Sequence, residues 1–213
     1  GAALGGRWAD RAPRAGALAL IVTLAGSWVG LLPVLARPVL SLGASSWADL
    51  RPGILAGTFL GVLLLFAPAV LLLGAVSPFA VRVAIGTVGD AGRTVVRVSA
   101  LSAAGSIVGT LLPVFVLIPS LGTRRSLLAI GVGLVLLGWA CNRAWERRGS
   151  WLACGLLAIL LAAWWLGTGG LIHSSADTLY EQESSYNYIR VAQVGSQRHL
   201  LLNDGLGIHS IYD

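Results

Sequence analysis

Long apolar runs broken by short arginine clusters fill most of this chain, and only its last forty or so residues depart from that pattern. Crossing about 30 Å of hydrocarbon takes roughly 20 apolar residues in a helix. Five runs meet or approach that length: about Ala15 to Leu35, Gly53 to Val76, Val98 to Pro119, Ser126 to Trp139, and Trp151 to Ile172. The second contains Pro68 and the fourth is short. Runs this long and continuous exclude the strands of a membrane barrel, so helices are predicted. After Ile172 the pattern changes to alternation of polar and apolar positions. Tyr186, Tyr188, Ile189 and Val191 predict one strand, ending near Gly195-Ser196, and His199 to Leu202 predict a second. Asn203-Asp204-Gly205 has the chemistry of a tight hairpin turn leading to a third strand over Ile208 to Tyr212. The expected fold is therefore an all-α polytopic transmembrane bundle over residues 1–172, followed by a short antiparallel β segment over residues 173–213.

Composition sharpens this picture. Hydrophobic residues are 56% of the 213 and charged residues 11%, against about 25% charge in soluble domains. With a mean hydropathy of +0.80, lipid must cover much of the surface. The net charge of +6 does not point to nucleic acid. Its arginines lie in small groups between apolar runs and form no patch interleaved with aromatics. Cys141 and Cys154 have no neighbouring ligand residues and are expected to be buried bystanders, with no metal site. His173, His199 and His209 are isolated from one another. Glu181 and Glu183 are expected to share one solvated face at a sheet edge.

The arginines also bear on topology. Arg7, Arg11, Arg14, Arg82, Arg93, Arg97, Arg143, Arg147 and Arg148 fall on one side of the predicted spans, and Arg37, Arg51, Arg124 and Arg125 on the other. Nine against four places the first set in the cytoplasm, and five crossings then put the tail outside. The chain opens on Gly1-Ala2-Ala3-Leu4-Gly5-Gly6, which reads as a helix already under way, and stops within a strand pattern. A fragment of a longer protein is the expectation.

Two constellations bear on helix packing. In the third run Gly105 and Gly109 are four residues apart, the spacing that lets helices approach closely. Packing within the bundle is the expected use, with dimerisation or a transport path as alternatives. Gly6-Arg7-Trp8-Ala9-Asp10-Arg11-Ala12-Pro13-Arg14 joins two apolar helices. It resembles the cytoplasmic loop motif of major facilitator transporters, in which Asp10 would pair with a nearby Arg and Gly6 would permit close helix approach. No charged residue lies inside any predicted span, whereas ion-coupled carriers usually place one there.

The tail carries a second resemblance. Tyr180-Glu181-Gln182-Glu183-Ser184-Ser185-Tyr186-Asn187-Tyr188-Ile189-Arg190-Val191, followed by Arg198-His199-Leu200-Leu201-Leu202-Asn203-Asp204-Gly205, resembles the opening β-domain of the spermidine synthase (polyamine aminopropyltransferase) family. The stretches Ser77 to Arg82, Gly105 to Thr110 and Leu121 to Arg125 resemble the branch that fuses this enzyme to a major-facilitator-like membrane region. The resemblance implies aminopropyl transfer from decarboxylated S-adenosylmethionine, a co-substrate with no further cofactor, to putrescine or a related amine. It implies polyamine and nucleoside substrates, a lipid bilayer, possible homodimerisation and a multi-pass place in a bacterial inner membrane. Asn187 falls where the family has a donor-binding Gln, one methylene longer. Asp204 falls at the family's D-G turn, and Ile208 where the family has an amine-site Gln. The family's nucleotide loop and catalytic acid would follow Asp213, so no catalytic residue is expected in this chain, which should by itself be inactive. A transporter, a transporter–enzyme fusion and a non-catalytic family member are the alternatives.

Overall fold

The computed structural model of the 213-residue chain describes residues 1–11, 14–45, 51–85, 91–142, 147–167, 177–183, 187–202 and 207–212. Its helices are α1 (Ala2–Arg11), α2 (Ala15–Ser45), α3 (Arg51–Ala84), α4 (Ala91–Leu112), α5 (Ile118–Asn142) and α6 (Arg147–Gly167), with a π-helical segment, Pro113–Leu117, joining α4 to α5. Four strands follow: β1 (Thr178–Glu183), β2 (Tyr188–Val194), β3 (Gln197–Leu202) and β4 (Gly207–Tyr212).

Among the described residues, three helical stretches are long and apolar enough to cross a membrane: Ala15–Ala36, Ala56–Ala84 and Ala91–Cys141. Five separate spans were expected, and the difference has two sources. The third and fourth predicted spans fall within one 51-residue apolar stretch with no intervening loop, divided where Gly122 breaks the helix. Two features interrupt it. Pro113 has no N–H for the α-helical ladder, and the chain takes up a π turn there, closed by the Ile118 N–H on the Pro113 carbonyl. Gly122 then leaves helical geometry altogether, at φ 79° and ψ 164°, a backbone conformation that only glycine adopts without strain. The fifth predicted span has a shorter described apolar stretch, Trp151–Trp165.

Contacts divide the chain into two compact units, residues 1–109 with 127–164, and residues 110–126 with 165–213. In the first unit α2 is central. One cluster combines Ala9 of α1, Ala17 and Ile21 of α2, and Ala75 and Phe79 of α3, with Phe79 fully enclosed. A second joins Leu128 and Val135 of α5 to Leu160 of α6, with Leu31 of α2 against them. In lipid there is no hydrophobic drive to pair helices, since acyl chains are as apolar as leucine. Close van der Waals fit and interhelical hydrogen bonds must hold these contacts.

Polar groups inside this unit are satisfied locally. Thr23 and Ser27, both buried, donate to the carbonyls of Ala19 and Thr23 one turn back, at 2.8 and 2.7 Å. The Trp28 indole N–H reaches across to the Leu65 carbonyl of α3 at 2.7 Å, within the turn that Pro68 disrupts. Pro33 and Pro38 in α2 and Pro68 and Pro78 in α3 are tolerated inside helices, as membrane helices allow where neighbours re-satisfy the backbone. Cys141 and Cys154 are exposed, which corrects the expectation of burial. On a membrane helix an apolar side chain facing lipid needs no protein cover.

The second unit contains an antiparallel meander in the order β1-β2-β3-β4. Four strands stand where three were expected, because Thr178–Glu183 also pairs, with Glu181 opposite Arg190 and Gln182 opposite Ile189. Its alternation is masked by polar residues on both faces, so the sequence pattern did not separate it. The hairpin between β2 and β3 turns through Gly195-Ser196, bracketed by the pair Val194 and Gln197, with Gly195 at φ +64° as a two-residue turn of this kind requires. The predicted Asn203-Asp204-Gly205 turn lies outside the described residues, between the paired Leu202 and Gly207.

Candidate functional site

Chemistry-bearing side chains gather at two places, one in each unit. The first is the end of the helical unit where α1, α2 and α3 terminate. α1 lies parallel to α3 in a register set by small residues. A methyl group added at Gly5 would lie 2.6 Å from the Ala75 Cα, so only glycine permits that approach. One turn on, Trp8 meets Phe79 edge to face, with ring centroids 5.9 Å apart. Beyond them the Arg82 Nε stands 3.3 Å from an Asp10 carboxylate oxygen, with both side chains half or more exposed. Exposure limits the worth of such a pair to about 0–1 kcal/mol, so it adds little to a register that Gly5 and Phe79 already set.

This junction contains the loop residues singled out in the sequence, with one reassignment. Asp10 has an arginine partner, and that partner is Arg82 at the end of α3. The close approach belongs to Gly5, because nothing lies within 4 Å of a Cβ placed on Gly6. Arg11 belongs to α1, but its side chain lies outside the described residues.

The glycine pair of α4 also moves out of its expected role. Among the described residues a Cβ at Gly105 or Gly109 would meet nothing within 4 Å, and α4 buries none of its residues. That face makes no close helix crossing among the described residues. The Ser106 hydroxyl donates to the Ser102 carbonyl on its own helix at 2.9 Å. The close helix crossing is made elsewhere, by Gly26 and Gly30 of α2 against Gly131 of α5. A methyl at Gly131 would sit 2.6 Å from the Gly30 Cα and 2.7 Å from the Gly26 carbonyl oxygen. Gly26 and Gly30 have the same four-residue spacing as Gly105 and Gly109, so the signal was present on both helices.

The second place is one face of the meander. Pairing places Thr178, Glu181, Arg190, Ala192, His199 and Leu201 on the same side of adjacent strands. Opposite charges face each other at Glu181 and Arg190, a favourable cross-strand arrangement. The Arg190 Nε donates to the Thr178 Oγ1 at 3.0 Å. The same pattern puts Ile189, Val191, Leu200 and Leu202 on the other side. Asn187 stands just before β2; Asp204 and His173 lie outside the described residues, as does the side chain of Ile208. His199 and His209 sit on different strands, and no group of three potential metal ligands occurs among the described residues.

Taken together, these features define an α-helical membrane protein, with helices long and apolar enough to span, that carries a small antiparallel sheet after its last helix. No family model, curated protein or solved structure matches the chain.

Proposed function

We propose that the chain is the membrane region and opening β segment of a spermidine-synthase-like aminopropyltransferase in a bacterial inner membrane. The observation that carries this reading is the correspondence of the tail motif with consecutive strands. Tyr188 to Val191 lies on β2 and Arg198 to Leu202 on β3, joined by the Gly195-Ser196 hairpin. In this reading Asn187 is positioned at the mouth of β2 for a weak contact with the nucleoside of the donor, and Asp204 falls at the family's D-G position.

The reaction needs little from this segment. A lone pair on the acceptor amine attacks the carbon beside the sulfonium of decarboxylated S-adenosylmethionine. The C–S bond breaks with its electrons returning to sulfur, leaving a neutral thioether, and the amine proton passes to an acidic-residue base. By the resemblance that base follows Asp213. The test is conversion of labelled putrescine to spermidine by membranes carrying the gene's full product, supplied with the donor. Labelled spermidine supports the reading; no transfer to any primary amine offered would overturn it. The 213-residue chain alone should bind no donor, and a micromolar affinity would contradict that part.

A second reading, a major-facilitator-like transporter or transporter–enzyme fusion, is favoured by the Asp10–Arg82 pair joining the ends of α1 and α3. Uptake of labelled spermidine into proteoliposomes separates the two, because a pure anchor gives no flux.

A further inference from the structure

We propose that the border formed by the ends of α1, α2 and α3 binds the headgroup of an anionic phospholipid, with Arg7 and Arg14 as its principal contacts. Three observations converge there. The apolar stretch of α2 begins at Ala15 and that of α3 ends at Ala84. The shared cluster of Ala9, Ala17 and Phe79 brings the last turn of α1 to the same level. The hydrocarbon boundary therefore runs through Arg14 and Arg82. The charge at this level is unbalanced. Arg7, Arg11, Arg14 and Arg82 stand against Asp10 alone on these three helix ends, four positive charges to one negative. Asp10 is engaged by Arg82, while Arg7 and Arg14 are exposed.

The third observation selects the occupant. Trp8, between Arg7 and Asp10, keeps 45% of its surface exposed while its ring edge is fixed against Phe79. An indole held at the boundary with one side free matches the layer where headgroup meets acyl chain, the usual place of tryptophan in membrane proteins. A free phosphate would use the arginines and gain nothing from the ring. A phospholipid uses both, placing its phosphodiester among the guanidinium groups and its glycerol and upper acyl carbons along Trp8. A net positive site favours a net negative lipid over a zwitterionic one that has the same phosphate.

The experiment is native mass spectrometry of the detergent-solubilised chain, titrated with phosphatidylglycerol or phosphatidylcholine. The wild-type chain should retain phosphatidylglycerol in preference. Arg7→Gln with Arg14→Gln, which removes two basic side chains from the membrane border, should weaken retention roughly thirtyfold. Arg7→Lys with Arg14→Lys, which keeps the charge, should retain most of it and guards against a folding defect in the neutral variant. Arg124→Gln with Arg125→Gln should leave retention unchanged. Equal retention of both lipids overturns the proposal. So does an equal loss in the Arg124 and Arg125 variant, which would make the effect one of overall charge, or displacement of the lipid by millimolar inorganic phosphate.

Discussion

Gly26 and Gly30 on α2, and Gly105 and Gly109 on α4, present the same spacing in helices of similar apolar character, yet the structure uses them in opposite ways. The first pair meets the backbone of α5 so closely that no side-chain atom fits at Gly131. The second faces open space on a helix with no buried residue. A glycine every four residues thus gives a helix the capacity for close approach without specifying a partner. The partner is set by what the facing helix offers, and α5 offers Gly131 and Gly138, each beside a position on α2. In lipid this matters more than in water, because burial of leucine against leucine adds little over leucine against acyl chain.

The largest test of this contrast is Gly131→Val. The added side chain meets backbone atoms that cannot swing aside, and overpacking of this kind costs about 3 kcal/mol, the upper end of the usual range. Thermal unfolding in detergent should show a clearly lowered midpoint. Gly133→Val, two residues away where a Cβ meets nothing within 4 Å, is the matched control. Equal losses in the two would mean that helix propensity, not contact, sets the effect.

Next in size is Trp28→Phe, which removes the indole donor from the Leu65 carbonyl while keeping most of the ring. Interhelical hydrogen bonds in membranes average about 0.6 kcal/mol and reach about 1.7. A loss near 1 kcal/mol is expected, between that average and the upper value. Chemical unfolding in mixed micelles measures it, and an unchanged stability would remove this bond from the account of how α2 and α3 are held.

Asp10→Asn should cost less, at most about 0.5 kcal/mol given the exposure of the pair, and the small effect should shrink further at high salt. A loss of several kcal/mol would show that the helix-end register depends on this pair, contrary to the view that Gly5 and Phe79 set it. Smallest of all, Gly105→Ala should be neutral or stabilising by up to about 1 kcal/mol, because an unpacked helical glycine gives only a propensity penalty. Destabilisation there would show that the α4 face is packed against something in the membrane, and would collapse the contrast with α2.

Much of the architecture was legible along the chain. Apolar length located the helical stretches, since backbone groups in hydrocarbon can be satisfied only within a helix. Period-two alternation found β2 and β3, because one side of that hairpin is apolar and the other is not. The first strand escaped notice, as Thr178 to Glu183 has polar residues on both faces and gains its place only by pairing with β2. The π turn at Pro113 and the break at Gly122 were not legible, since neither residue type by itself specifies the geometry it adopts here. At the α1–α3 junction the sequence offered Asp10 in need of an arginine but several arginines to choose from.

What the sequence determined by itself was therefore solvent and secondary structure: which stretches belong in lipid, which are helical, and where the chain turns polar. These follow from local composition and period, which act on each segment independently of the others. Tertiary structure decided which glycines are crossings, that Gly5 and not Gly6 meets its neighbour, and that Arg82 is the partner of Asp10. Each of those depends on two surfaces matching across distances of a few ångströms, and residues far apart in sequence come to that fit only once the helices have packed.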